Sequence, residues 1–330
     1  MYQSASSVIL ICPTGFGYDP ETSATNAFQR QVEDKEVKRL AAEEFDGLLD
    51  ALRNCGIGIT VLDPVDRNAP NAVFPNNWFS THDDGTAVIY PMHTPSRRVE
   101  RDPDLKATLR REGFAVRQVI DLSAWEKKGL VLEGTGSLVL DRVKHHAYAC
   151  FSPRTTETAL NAWCDIMGYV PIAFTATMDG TLSGQHIYHT NVVMSIGTRF
   201  ALVCLEALPY PAERLVVEEE LARSGREVVP ISLEQMHSYV GNMLELRGSL
   251  AAAASSETAK DSFLFLSERA FKVLKPFQRL ALERHAHLMP VPIPTIETVG
   301  GGSVRCMLAE VFLDRSAPPV SAKKDPSKIP

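Results

Sequence analysis

The sequence predicts a mixed α/β chain in which one helix–strand unit recurs five times around a shared axis. Three observations lead there. Four glycines, Gly56, Gly113, Gly168 and Gly225, end apolar-periodic segments at intervals of 57, 55 and 57 residues. Each glycine is followed by a short run with strand character. Pairs of strand-like runs separated by turn residues fill the stretches between. A fixed period with the same internal order marks a repeat architecture, because one such unit cannot bury its apolar face alone.

Within residues 31–54, Val37, Leu40, Ala41, Phe45, Leu48, Leu49 and Leu52 recur at helical spacing, and Gly56 is placed to end the helix in a left-handed cap. Ile57, Ile59 and Val61 then alternate with Gly58 and Thr60 until Asp63-Pro64 stops the strand. The same order returns as helix 103–112 with strand 114–120, helix 155–167 with strand 169–175, and helix 211–224 with strand 226–231. A fifth helix, 267–284, leads into strand 287–293 without a glycine. Strand pairs are expected over 78–90, around Asp83-Asp84-Gly85, and over 131–150, around Asp141-Arg142. Residues 192–196 read as an apolar strand. A final strand, 304–313, is expected to pair with 8–12 and close the ring. Length alone, 330 residues, suggests about two domains. The period argues instead for one domain over residues 1–314. Residues 251–257 read as a loop or short helix, and the Pro-, Ser- and Lys-rich tail 315–330 as disordered.

Composition narrows the function. At 45% hydrophobic and 22% charged residues the chain can bury a full core. The 34 Lys and Arg against 40 Asp and Glu leave a net charge of -6, the wrong sign for gripping a phosphate backbone. Apolar runs such as 192–196 and 200–205 fall far below the roughly 20 residues of a spanning helix. Met1-Tyr2-Gln3-Ser4 has neither the basic start nor the apolar stretch of a signal peptide. A soluble cytoplasmic chain with no nucleic-acid or membrane partner is therefore expected. The six cysteines form no CxxC pair, against both a zinc ribbon and a disulfide scaffold.

Common catalytic signatures are missing. There is no GxxxxGK, HExxH or GxSxG, and Gly56-Ile57-Gly58 and Gly134-Thr135-Gly136 lack the third glycine of a dinucleotide loop. Gly300-Gly301-Gly302-Ser303-Val304-Arg305-Cys306 differs in kind: three glycines allow close backbone approach to a ligand, and Arg305 sets a cation beside a thiol in the sequence. A buried structural cysteine and a nucleophile both fit it. A thiolate nucleophile needs a proton partner. His189, in His189-Thr190-Asn191 before an apolar run, is one candidate; His145 and His146 stand at a similar place. Glu133, in Leu132-Glu133-Gly134-Thr135-Gly136-Ser137, is either a site carboxylate or a solvated turn residue.

Together these motifs resemble the guanidine-modifying superfamily of arginine deiminases, dimethylarginine hydrolases, amidinotransferases and succinylarginine dihydrolase, over nearly the whole chain. The resemblance implies a five-bladed α/β propeller, the pentein fold, in agreement with the five units counted without it. It assigns the nucleophile to Cys306, the histidine to His189 and the acid to Glu133. Arg154, in Ser152-Pro153-Arg154-Thr155, matches the arginine that grips a substrate carboxylate, for which a planar fork is suited. Arg97 and Arg98 match a second basic stretch near that site, with Arg98 taken as the binding residue. Arginine deiminases carry aspartates where this chain has Asn77 and Asn191. An asparagine pair lacks the charge that clamps a guanidinium and suits a neutral ureido group better.

Gly15-Phe16-Gly17-Tyr18-Asp19-Pro20-Glu21-Thr22 with Asn26, Phe28 and Gln29, and Gly241-Asn242-Met243-Leu244, resemble the citrulline utilization hydrolases. The resemblance implies that residues 16–28 close over the site as an amino-acid-binding loop, with Asn26 contacting substrate. The expected reaction is hydrolysis of citrulline to ornithine, ammonia and carbon dioxide through a thiocarbamoyl intermediate on Cys306. Glu133 would orient His189 and bond a substrate nitrogen, and no metal or cofactor is expected. An arginine or substituted-arginine deiminase or dihydrolase is the nearest alternative. An inactive pentein-fold binding protein is the alternative from another class.

Overall fold

A computed structural model describes residues 2–33, 35–249 and 261–316. The first unit holds β1 (Ser7–Ile11), helix Val37–Asn54 and β2 (Gly58–Leu62). The second holds β3 (Phe79–Thr81), β4 (Thr86–Ile89), helix Leu105–Arg111 and β5 (Gln118–Asp121). In the third come β6 (Val139–Asp141), β7 (His146–Cys150), helix Glu157–Met167 and β8 (Val170–Phe174). The fourth has β9 (Met194–Ile196), β10 (Phe200–Val203), helix Pro211–Arg223 and β11 (Glu227–Pro230). The fifth has β12 (Leu244–Gly248), β13 (Asp261–Ser267), helices Glu268–Val273 and Pro276–Glu283, and β14 (His287–Val291). A last strand, β15 (Ala309–Glu310), follows.

These strands form five three-stranded sheets of one design. The first strand of a unit pairs antiparallel with the second, and the second pairs parallel with the third. A parallel partner requires a crossover, which the unit's helix supplies. In the first unit β15 takes the place of the first strand, with Val8 opposite Glu310 and Ile9 opposite Ala309. The two ends of the chain thus complete one sheet. First strands of successive units also approach one another: β15 lies against β3, β6 against β9, and β9 against β12.

Burial follows the sequence periodicity. Val37, Ala41, Phe45, Leu48, Leu49 and Leu52 form the buried stripe of the first helix. Each such large side chain contributes about 1.5–3 kcal/mol, an upper bound because the unfolded chain already buries some of it. The middle strands β4 and β10 are buried throughout, as sheet strands covered on both faces must be. Gly56, Gly113, Gly168 and Gly225 all adopt positive φ, from +63° to +82°, and end their helices as the period predicts. Among the described residues no helix is long and apolar enough to cross a membrane.

Several expected elements differ. The single helix over 267–284 is two helices, because Pro276 drives Lys275 into an extended conformation. The strand over 192–196 begins only at Met194, after a helical turn Thr190–Val193. The strand over 304–313 is a 3-10 turn, Val304–Met307, followed by the two residues of β15. In both places the chain is buried on all sides, so apolar continuity carries no period to tell a turn from a strand. The pair over 131–150 starts at Val139, and Gly134–Ser137 is a helical turn. Of the expected tail, Ser316 donates its N–H to Gly113 and the Arg315 guanidinium covers Phe114 at 4.1 Å. Residues 251–257 and 317–330 lie outside the described residues.

Candidate active site

Each unit places a turn immediately ahead of its first strand. Pro75–Asn77 precedes β3, Gly134–Ser137 precedes β6, Thr190–Val193 precedes β9, residues 239–243 precede β12, and Val304–Met307 precedes β15. Neighbouring turns touch, so side chains far apart in sequence converge.

His189 precedes its turn in an extended conformation, and its Nε2 lies 2.8 Å from Glu133 Oε2. A carboxylate only accepts, so the neutral imidazole carries its proton on Nε2 and keeps the Nδ1 lone pair. The other carboxylate oxygen accepts the His93 backbone N–H at 2.9 Å, and Arg154 Nη1 stands 3.6 Å from Oε2. Burial pushes His189 down to about 4; Glu133 opposes that shift, and Arg154 and Arg97 add to it. Burial alone would raise Glu133, but Arg154, the hydrogen bond from His189 and Arg97 outweigh it and hold the carboxyl well below the usual range. At neutral pH the pair is therefore a carboxylate and a neutral imidazole.

Cys306 sits in the 3-10 turn ahead of β15 and is buried. Asn242 Nδ2 donates to its sulfur at 3.3 Å and Asn191 Nδ2 at 3.6 Å. Asn242 is itself held by the Asn191 carbonyl at 3.0 Å. Charge that collects on the sulfur thus meets two amide donors.

Cys306 and His189 open on one cavity, lined also by Asn26, Asn77, Arg97, Arg154, Tyr188 and Gly300 to Gly302. Arg154 donates to the Thr22 carbonyl and to Thr25 Oγ1, and its guanidinium lies 4.9 Å over the Tyr188 ring. Asn26 donates to the Gly301 carbonyl at 3.0 Å. Residues 16–28 are thereby docked on the cavity, pinned further by Asp19, whose carboxylate accepts from Asn71 and Ser96. Gly136 makes the convergence possible. A β-carbon there would fall 2.8 Å from the His189 ring and closer still to Asn77 Nδ2.

Of the expected site residues, Cys306, His189, Asn77, Arg154 and Asn26 share this cavity. Glu133 is not among the residues lining it: its Oε2 faces His189 and its Oε1 accepts the His93 backbone N–H, so it holds the imidazole from behind. Asn191 touches the sulfur and lines a separate cavity with Gln3, Arg142, Glu245, Arg305 and Glu310. Arg305 turns to Glu310, 3.1 Å away, and to the Leu308 carbonyl rather than to the thiol. Arg98, expected at the site, instead points outward to Glu126 at 3.2 Å and to the Met92 and His93 carbonyls. Its neighbour Arg97 is the buried one. On a four-residue helix, Pro95–Arg98, adjacent side chains point about 100° apart, so only one can face inward. His145 is exposed at a turn in the left-handed region, away from the cavity. Asn242 was not among the expected site residues, although its place ahead of β12 repeats the register of the other four turns. Among the described residues no three His, Cys, Asp or Glu side chains are grouped to hold a metal ion.

The chain matches the model of a family described as eukaryotic N,N dimethylarginine dimethylhydrolase over residues 12–313. No protein of curated function matches it significantly in sequence. Among solved structures it is similar to the substrate-bound N-terminal domain of ArgZ, an arginine dihydrolase from the ornithine-ammonia cycle in cyanobacteria. The TM-score is 0.69 at 14% identity, over 92% of this chain and 97% of that one. It spans 41% of the length of whole ArgZ. It is also similar to DDAH from Pseudomonas aeruginosa in complex with citrulline, with TM-score 0.62 and 14% identity over 93% of this chain and 100% of that one. Structural likeness at such identities concerns the fold, and the family match spans nearly the whole sequence. The chain therefore belongs to the guanidine-modifying pentein superfamily, in the family whose model is described as eukaryotic N,N dimethylarginine dimethylhydrolase.

Proposed function

We propose that the protein is a cysteine-dependent hydrolase of a closed five-bladed propeller fold that acts on the ureido carbon of citrulline. One observation carries the choice of substrate: the cavity beside Cys306 is lined by Arg97 and Arg154 and by no carboxylate. A guanidinium head would meet no carboxylate on the cavity lining, since Glu100 and Glu133, the partners of Arg97 and Arg154, are not part of it. A ureido head is neutral, and the α-carboxylate of the amino acid suits Arg154.

His189 Nδ1 takes the proton of the Cys306 thiol as Sγ attacks the ureido carbon to give a tetrahedral adduct. Its collapse breaks the bond to the terminal nitrogen, which leaves as ammonia with that same proton returned by His189. The product is a thiocarbamoyl on Cys306. His189 Nδ1 then takes a proton from water, whose oxygen attacks the same carbon and expels the thiolate. The released carbamate decays to ornithine and carbon dioxide. Glu133 keeps the imidazole in the tautomer that these transfers need. The six free cysteines suit a reducing compartment, so we place the enzyme in the cytoplasm.

The family match supports a second reading, hydrolysis of arginine or N-methylated arginines by the same residues. Ammonia release from citrulline, arginine, agmatine and succinylarginine, with amine release from methylarginines, separates the two. Citrulline should be turned over, and turnover of arginine compounds without citrulline would overturn the proposal. An inactive binding protein is tested by Cys306→Ser together with iodoacetamide. If the thiol does not react and the substitution changes no activity, the enzyme reading fails.

A further inference from the structure

Arg154 is the group to which the α-carboxylate of the substrate is assigned, yet its guanidinium is already taken. Nε donates to Thr25 Oγ1 at 3.1 Å, and Nη2 donates both to the same hydroxyl oxygen at 2.8 Å and to the Thr22 carbonyl at 2.9 Å. A guanidinium offers a carboxylate two two-pronged edges, Nε with Nη2 along its side and Nη1 with Nη2 across its end. Both edges use Nη2, and both N–H groups of Nη2 are engaged. The end edge also faces Glu133, whose Oε2 lies 3.6 Å from Nη1 and whose charge would repel a second carboxylate there. Entry is left to the side edge, which Thr25 Oγ1 occupies.

We infer that Thr25 is a specificity-determining residue: its hydroxyl fills the side edge of Arg154 as an internal ligand, which the substrate's α-carboxylate must displace. This rests on the reading given above in which Arg154 takes that carboxylate. The exchange favours the substrate, because a hydroxyl is a neutral acceptor and N–H bonds from a guanidinium to a carboxylate are roughly twice as strong as neutral ones. Residues 16–28 can release Arg154 without coming undone. The Thr22 carbonyl keeps the Thr25 and Asn26 N–H groups at 3.2 and 3.1 Å. Asp19 stays tied to Asn71 and Ser96, and Asn26 and Gln29 to the carbonyls of Gly301 and Val299. Thr25 is only half-buried, so a displaced hydroxyl can turn to water. Thr25 thus weakens the binding of ligands that carry the carboxylate and leaves those that lack it unaffected.

The test measures binding by calorimetry to Cys306→Ser protein, so that turnover does not intervene. Two ligand pairs differ only in the carboxylate: citrulline with 4-ureidobutylamine, and arginine with agmatine. Thr25→Val, close in shape, should tighten the acid of a pair at least about tenfold and leave its carboxylate-free partner within about twofold. Thr25→Ser keeps the hydroxyl and should match the parent for both members. An acid bound no more tightly by Thr25→Val, or a gain of equal size for both members of a pair, would overturn the displacement. Adding Arg154→Met to Thr25→Val should erase the gain, and a gain that survives it would overturn Arg154 as the partner of the carboxylate. If only the arginine pair binds, the citrulline reading fails while the comparison with agmatine still decides on Thr25. If neither pair binds, Arg154 is no carboxylate site for these amino acids, and the inference falls with it.

Discussion

At His189 burial and the Glu133 carboxylate act in opposite directions, and burial wins: the ring sits near pKa 4 and is neutral over the physiological range. A neutral ring can accept the proton of the attacking water, and a protonated one cannot. The acid limb of kcat/KM should therefore lie nearer pH 4 than the ordinary 6.5, and a pH–rate profile breaking at 6.5 would refute the depressed value. The same shift bears on folding. The unfolded chain takes up a proton at 6.5 and the folded ring only near 4. The stability His189 contributes is thus complete above 6.5 and falls by on the order of 3 kcal/mol as pH drops toward 4. Urea unfolding across that window should show a weaker pH dependence in His189→Gln than in the wild type, the remainder coming from other buried groups such as His82. Glu133→Gln removes the charge that orients the ring and should lower kcat by about 10²-fold or more with little change in KM, read in steady-state kinetics. The identities of these residues were open to inference from motifs, but the bonds of Glu133 to His93 and His189 were not, because those partners come from other units.

Turns and caps decide the geometry at the next scale. Gly136→Ala would drive a β-carbon against the His189 ring and Asn77 Nδ2. It should reduce kcat/KM by about 10²-fold or more while circular dichroism stays native, since the displaced groups are site side chains. The helix-ending glycines make a graded comparison. Gly56 and Gly168 share the left-handed conformation, but a β-carbon at Gly168 meets open space, whereas at Gly56 it meets the Ser249 backbone at 3.2 Å and nearer. Gly168→Ala should cost about 1–2 kcal/mol and Gly56→Ala clearly more, measured by urea unfolding. Such caps are legible in sequence because the requirement is local. The break at Pro276 was legible too, yet the apolar pattern on either side of it reads as one helix. The turns ahead of β9 and β15 were not, since uniformly buried segments have no polar face to set a period.

Over the whole molecule, the sheet of β1, β2 and β15 ties the two ends of the chain together, reinforced by Val311 N–H on the Ser7 carbonyl and by Thr81 Oγ1 bridging Glu310 O and Phe312 N. Ending the chain after Leu308 removes those bonds, exposes the edge of β1 and should abolish cooperative thermal unfolding; an unchanged transition would show that the closure carries no stability. The repeat and its five units were available from the sequence alone, and the candidate nucleophile, histidine and acid from the motif resemblance, because a cap glycine, an apolar period and a short motif are each written in neighbouring residues. Which of Arg97 and Arg98 faces inward, the place of Asn242 on the sulfur and the departure of Arg305 from the thiol were decided only by tertiary structure. Each depends on how short helices and turns pack on one another, where helix rotation and the seating of one turn on the next, rather than residue type, choose the partner.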